Sequence, residues 1–120
     1  MKIEVSIGEI IDKWTILSIK KERITDEKKL ENINKEFEYL DSVVKIIIQT
    51  EEPLVEDLLN VNKVLWNVEN NKRQCEKNKD FGENFIYLAR TVYIMNDRRA
   101  EIKKEINLKY KSGFVEEKSY

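Results

Sequence analysis

The sequence predicts an all-α fold, an antiparallel up-down bundle of three to four long helices in a single domain spanning 1–120. Three observations carry this reading. Four segments repeat apolar residues at spacings of three and four, the period of a helix with one buried face. Three Gly and one Pro are too little turn-forming material for many short strands. The breaks between segments are short, so successive helices should pack as antiparallel neighbours.

Met1 to Val5 reads as a short extended N-terminus, with Ile3 and Val5 alternating with Lys2 and Glu4. Ser6-Ile7-Gly8-Glu9 then matches a capping box. The Ser6 hydroxyl would accept from the Glu9 N–H, and the Glu9 carboxylate would reach back to the Ser6 N–H. The first helix should run from about Ile7 to Ile24. Its main apolar face is Ile7, Ile10, Ile11, Trp14 and Leu17. A second line, Asp12, Ile16, Ile19 and Arg23, lies roughly opposite, so this helix is either central or shared with a partner. Thr25 or Asp26 is placed to cap the second helix, about Glu27 to Gln49. Its stripe is Leu30, Ile33, Phe37, Leu40, Val44 and Ile47, with a weaker second face at Tyr39, Val43 and Ile46.

Thr50 is placed to cap the third helix, and Pro53 suits its first turn. That helix should reach Lys77, with Leu54, Leu58, Val61, Leu65 and Val68 as one stripe. Val55, Leu59, Asn62, Trp66, Glu69 and Arg73 lie beside it. After a break at 78–82 the fourth helix should run from about Glu83 to Lys111. Phe85, Leu88, Ala89, Val92, Met95, Asn96, Arg99, Ile106 and Tyr110 share a face, flanked by Ile86, Arg90, Tyr93, Asp97 and Ala100. Gly113 is a natural stop, and 112–120 form a C-terminal tail in which Phe114 and Val115 could dock. The two-faced first and second helices leave surplus apolar surface, which predicts a homodimer.

Composition excludes several function classes. Acidic and basic residues nearly cancel, at net charge −1, although 38% of residues are charged against ~25% in typical globular chains. No global field therefore steers the chain to nucleic acid. Histidine is absent, which removes the usual neutral-pH acid–base group and His-based nucleophile pairs. The single cysteine, Cys75, gives no disulfide framework and no multi-Cys zinc site, and it suits a core position in a reducing, cytoplasmic compartment. No apolar run approaches the ~18 residues of a membrane helix, so no membrane insertion is expected. No Gly-rich phosphate loop or nucleophile motif is present, and no cofactor is expected.

The informative contradiction is polar residues on core-facing helical positions. Asn62, Trp66, Glu69 and Arg73 on the third helix and Tyr93, Asn96, Asp97 and Arg99 on the fourth lie on or beside the buried stripes, and Asp12 on the first is placed to join them. An unpaired buried charge costs several kcal/mol, so Arg73 and Arg99 must meet Glu69, Asp97, Asp12 or Glu9, or a ligand anion. Two readings are open. A closed salt-bridge network would set helix register. Alternatively, Arg73 and Arg99 would bind an anionic group while Trp66 or Tyr93 stacks on a ring. Asp97, Glu101 and Glu105 recur every four residues, but their basic neighbours Arg98, Lys103, Lys104 and Lys109 read better as surface charge pairing than as a metal site. No metal is expected.

Several segments together resemble a known family. They are Ser6-Ile7-Gly8-Glu9-Ile10-Ile11-Asp12-Lys13 through Ile24, Asn62 to Arg73 with Leu65-Trp66, Leu88 through Asn107 with Asn96-Asp97-Arg98-Arg99-Ala100, and the ending Val115 to Tyr120. They are similar to a small bacterial and marine-phage family of unknown function. Its members often lie near surface-polysaccharide or lipopolysaccharide genes, sometimes beside glycosyltransferases. The resemblance implies a context and no catalytic residue. The resulting expectation is an accessory or interaction module linked to surface-glycan biosynthesis rather than an enzyme. The alternative is a small enzyme or binding protein for a phosphorylated sugar or nucleotide, with Glu69 or Asp97 as general base. Its partners would be a second copy, another protein or an anionic small molecule.

Overall fold

A computed structural model describes residues 4–110, which form four helices and, among those residues, no strand. They are α1 (Ile7–Arg23), α2 (Glu27–Ile47), α3 (Pro53–Lys77) and α4 (Glu83–Lys109). Ile3, Lys111, Gly113 and the tail at 112–120 lie outside the described residues. The all-α bundle is as the helical periodicity requires, and α1 packs on the other three helices.

Local chemistry sets the boundaries. The Ser6 hydroxyl accepts from the Glu9 N–H at 3.1 Å, but the other arm of the expected box is absent, because the Glu9 carboxylate pairs with Lys103 instead. Asp26, not Thr25, caps α2 by accepting from the Lys28 and Lys29 N–H groups. Glu52, not Thr50, caps α3, accepting from the Leu54 N–H at 3.2 Å with Pro53 in the first turn.

The principal core joins all four helices. Ile11, Val44, Leu58, Ile102 and Ile106 are buried together, with Trp14, Val61 and Tyr110 packed around them. The two-faced pattern of α1 thus follows from its central place and no longer argues for a dimer. The expected stripe of α2 is mostly half-buried, Val44 being its one buried member. Val44 carries α2 into the shared core, while the backbone of α2 comes close to α1 alone among the helices. There Trp14 stacks on Phe37 with centroids 6.2 Å apart and donates from Nε1 to Asp41 at 3.2 Å. A smaller core of Val68, Cys75 and Leu88, with Phe85 and Val92, holds the far end of the α3–α4 hairpin. That end stands clear of α1, and the Cα radius of gyration is 16.0 Å, against about 14 Å for a compact chain of this length.

Two close approaches give the fold distinct sensitivities. A Cβ on Gly8 would lie 2.7 Å from the backbone oxygen of Lys103 and 3.0 Å from Asn107 Oδ1. The Gly8 N–H donates to that same Oδ1 at 2.7 Å, locking α1 against α4. Gly8→Ala should therefore destabilise the protein by about 1–3 kcal/mol in urea denaturation. At the same end of α4 the buried Glu52 accepts from the Tyr110 hydroxyl at 2.5 Å and from Lys109 Nζ at 2.7 Å. Burial alone would raise the Glu52 carboxyl, but the bonds from Lys109, Tyr110 and the Leu54 N–H outweigh it and hold it below 4.5. The bond to Glu52, helped by burial, pushes Tyr110 from 10.0 up to about 12. A raised value in the folded state means stabilisation fully present below pH 10.0 and lost as pH climbs toward about 12. Tyr110→Phe should accordingly lose stability less steeply than wild type across that alkaline window, as read by denaturation at a series of pH values.

Candidate functional site

The polar residues of α1 and α4 meet as a ladder. α1 runs antiparallel to α4, so Gly8 lies against Asn107, Glu9 against Lys103 and Asp12 against Arg99. The spacing makes this possible. Gly8, Glu9 and Asp12 lie along one edge of α1, while Arg99, Lys103 and Asn107 follow at four-residue intervals on α4. Asp12 is 2% exposed. Arg99 grips it with two parallel bonds, Nε to Oδ1 at 2.9 Å and Nη2 to Oδ2. This fork matches a planar guanidinium to a carboxylate.

α3 completes the knot through one side chain. The Asn62 amide, also buried, donates from Nδ2 to Asp12 Oδ1 at 2.9 Å and to Thr15 Oγ1 at 2.8 Å. The Thr15 hydroxyl donates in turn to the Asp12 carbonyl at 2.7 Å. One buried carboxylate thereby ties three helices together. Lys103, 6% exposed, gives its ammonium to Glu9, which keeps that buried charge neutralised.

Where the knot ends, a cleft opens. It encloses about 360 Å³ between α1, α3 and α4 and is lined by Ile16, Ile19, Asn62, Leu65, Trp66, Glu69, Asn70, Arg73, Asn96 and Arg99. Ile16, Ile19 and Leu65 supply apolar lining, and Trp66 supplies an aromatic ring. Asn62 and Arg99 reach it from the knot. Glu69 lies 3.7 Å from Lys72. Arg73 is exposed and makes no ion pair with any described residue.

Six residues singled out from the sequence therefore share one cleft: Asn62, Trp66, Glu69, Arg73, Asn96 and Arg99. Asp12 stands directly behind it as the anchor of Arg99 and Asn62. Tyr93 and Asp97 are not brought in. Tyr93 is exposed and Asp97 half-buried beyond the lining, so neither is placed to stack or to act as base there. Sequence reasoning passed over Thr15, Asn107 and Asn70, and it read Lys103 as a surface charge where the structure buries it against Glu9. Lys103 and Asn107 continue the line of Asn96 and Arg99 along α4, and that spacing was the available signal. Glu101 pairs with Arg98 at 3.3 Å on the surface. No three acidic or Cys side chains converge closely enough to hold a metal ion among the described residues. No helix of the described residues is long and apolar enough to cross a membrane.

A family model described as "Family of unknown function (DUF6165)" matches residues 1–120, and the chain belongs to that family. No curated protein and no solved structure matches it.

The knot predicts a strongly coupled pair. Asp12→Ala leaves Arg99 and Asn62 without their shared acceptor and should cost about 3–5 kcal/mol. The Asp12→Ala/Arg99→Ala double variant should cost clearly less than the two single losses combined. Urea denaturation of the four proteins checks this, and additive losses would contradict the coupling.

Proposed function

We propose that this DUF6165 chain is an accessory module that binds a small anionic, ring-bearing ligand in the α1–α3–α4 cleft. A phosphorylated sugar or a nucleotide is the ligand class that fits. One observation carries the reading: Arg73 and Arg99 line the same cleft beside Trp66, and the described carboxylates leave Arg73 unneutralised. Arg99 is held by Asp12 and presents a fixed edge, whereas Arg73 has a mobile stem able to close on an anion. Trp66 offers an aromatic ring for a sugar or base. Asn70 and Asn96 offer amide groups of both polarities for ring hydroxyls, whereas Asn62, its Nδ2 spent on Asp12 and Thr15, has only Oδ1 left to accept.

Binding without chemistry suits the residue set. The sequence has no histidine, and the Glu69 carboxylate sits 3.7 Å from the Lys72 ammonium. The gene setting implied by the family resemblance, surface-polysaccharide biosynthesis, would supply phosphorylated sugars, and the lone unpaired Cys75 suits a cytoplasmic protein. A second reading, an interaction module with no small ligand, draws support from the bidentate closure of Arg99 on Asp12.

A thermal-shift panel separates the two. Sugar phosphates, nucleotides and nucleotide sugars at millimolar concentration should include at least one that raises the melting temperature. Arg73→Ala should weaken that ligand by about 10-fold or more, the worth of one charge-assisted hydrogen bond. The same change should leave the ligand-free protein within about 0.5 kcal/mol of wild type, because Arg73 is exposed. Arg99→Ala is a poorer probe, since it also strips Asp12 of its charged partner and leaves it the Asn62 amide alone among the described side chains. A flat panel would leave the interaction reading in possession.

A further inference from the structure

The far end of the α3–α4 hairpin carries an apolar face that the described chain leaves uncovered. The α1 contacts of α4 fall at Arg99, Lys103 and Asn107, with the shared cleft reaching back to Asn96. Before Asn96, α4 is packed by α3, through Phe85, Leu88 and Val92 on Val68 and Cys75. The outward side of this stretch holds Ile86, Tyr87, Tyr93 and Ile94, which are 55%, 66%, 54% and 46% exposed. Ile86, Tyr87, Arg90 and Ile94 follow helical spacing and, with Glu83 and Thr91, line a shallow groove of about 430 Å³. Tyrosine, isoleucine and arginine side by side are the composition of an interface core more than of a solvated helix face. Glu83 and Arg90 stand two turns apart on this face, and neither is ion-paired with a described residue.

We propose that this face binds a second copy of the chain, with α4 antiparallel to α4 about a two-fold axis passing close to Ile86 and Tyr87. The charge pattern selects this occupant. An axis midway between Glu83 and Arg90 sets Glu83 opposite Arg90 of the partner subunit, and the symmetry makes that pair twice. Ile86 then meets Tyr87 of the partner subunit near the axis. Ile94 reaches toward the loop that carries Phe81 of the partner subunit, and Phe81 is itself 53% exposed. A parallel pairing would instead stack Glu83 on its own copy and Arg90 on its own copy, and like charges opposed are disfavoured. The inference is independent of any ligand in the cleft, because the groove shares no residue with it.

Sedimentation velocity on the full chain across a concentration series tests the proposal. Wild type should sediment as a dimer whose dissociation is concentration-dependent. Arg90→Glu and Glu83→Arg should each weaken it by about 10-fold or more, as like charges then oppose across the axis. The Glu83→Arg/Arg90→Glu double variant restores opposite charges and should return to within about 3-fold of wild type. Circular dichroism of each variant should keep the wild-type helical signal, since both positions are exposed. A wild-type monomer up to about 1 mM, a range that reaches even weak association, would overturn the proposal. So would a dimer that both single changes leave intact, or one that the double variant fails to restore.

Discussion

A carboxylate buried at the centre of the bundle is the constraint on which the arrangement depends. Asp12 is cut off from water, and its charge is tolerable only while Arg99 and Asn62 point at it. Such a pair adds little net stability over a well-packed apolar core, because desolvation consumes most of the Coulombic gain. Its stronger effect is on alternatives. Sliding α4 by one turn along α1 would face Asp12 with Met95 or Lys103 in place of Arg99, and would take Asn107 from Gly8 and Lys103 from Glu9. Three polar contacts would fail at once, and Gly8 is the point at which the backbones come close enough for this register to exist.

The same knot shapes the cleft beside it. Asp12 is spent on Arg99 and Asn62, so it does not neutralise Arg73. The edges of Asn62 and Arg99 that reach the cleft are held by bonds on their far side, and little side-chain entropy is left for a ligand to remove. Toward the α1 N-terminus the polar line is sealed by Lys103 and Asn107, both buried. In the other direction the line continues through Asn96 to solvent. The cleft lies where a closed network becomes an open one, so the two readings of the polar residues describe adjacent parts of one structure.

Much of the fold was legible from the chain because its punctuation is local. Ser6 and Asp26 satisfy N–H groups two or three residues away, and Pro53 admits only the start of a helix. The starts of α1 through α3 therefore needed no tertiary information. Glu52 displaced Thr50 as a cap because Lys109 and Tyr110 converge on it from α4, which no local rule foresees. In the site, Asn62, Trp66, Glu69 and Arg73 could be grouped because they share a face of α3. Asp97 and Tyr93 were over-read. Asp97 follows Asn96 directly and so turns about 100° away from it on a helix of 3.6 residues per turn, enough to leave the cleft. Lys103 was under-read for the complementary reason. A lysine among charges looks solvated, and its burial depends on how closely Gly8 lets α1 approach.

The molecule is consequently uneven. Its α1-bearing half is fixed by the polar ladder, the Asn62 bridge and the Glu52 corner. In the outer half of the α3–α4 hairpin, a few apolar side chains around Cys75 hold the helices together among the described residues, with Asn84 Nδ2 reaching Cys75 Sγ at 3.6 Å. Register there is inherited from the fixed half, and local opening should be easiest at that end. The cleft straddles the boundary: Asn62 and Arg99 belong to the fixed wall, while Glu69 and Arg73 extend toward the freer one. An anion bridging Arg99 and Arg73 would couple the two halves, and a second copy laid along Ile86, Tyr87 and Ile94 would brace the freer half from outside. Each contact would stabilise the wall opposite the knot, so ligand binding and self-association, where both occur, should reinforce each other without sharing a residue.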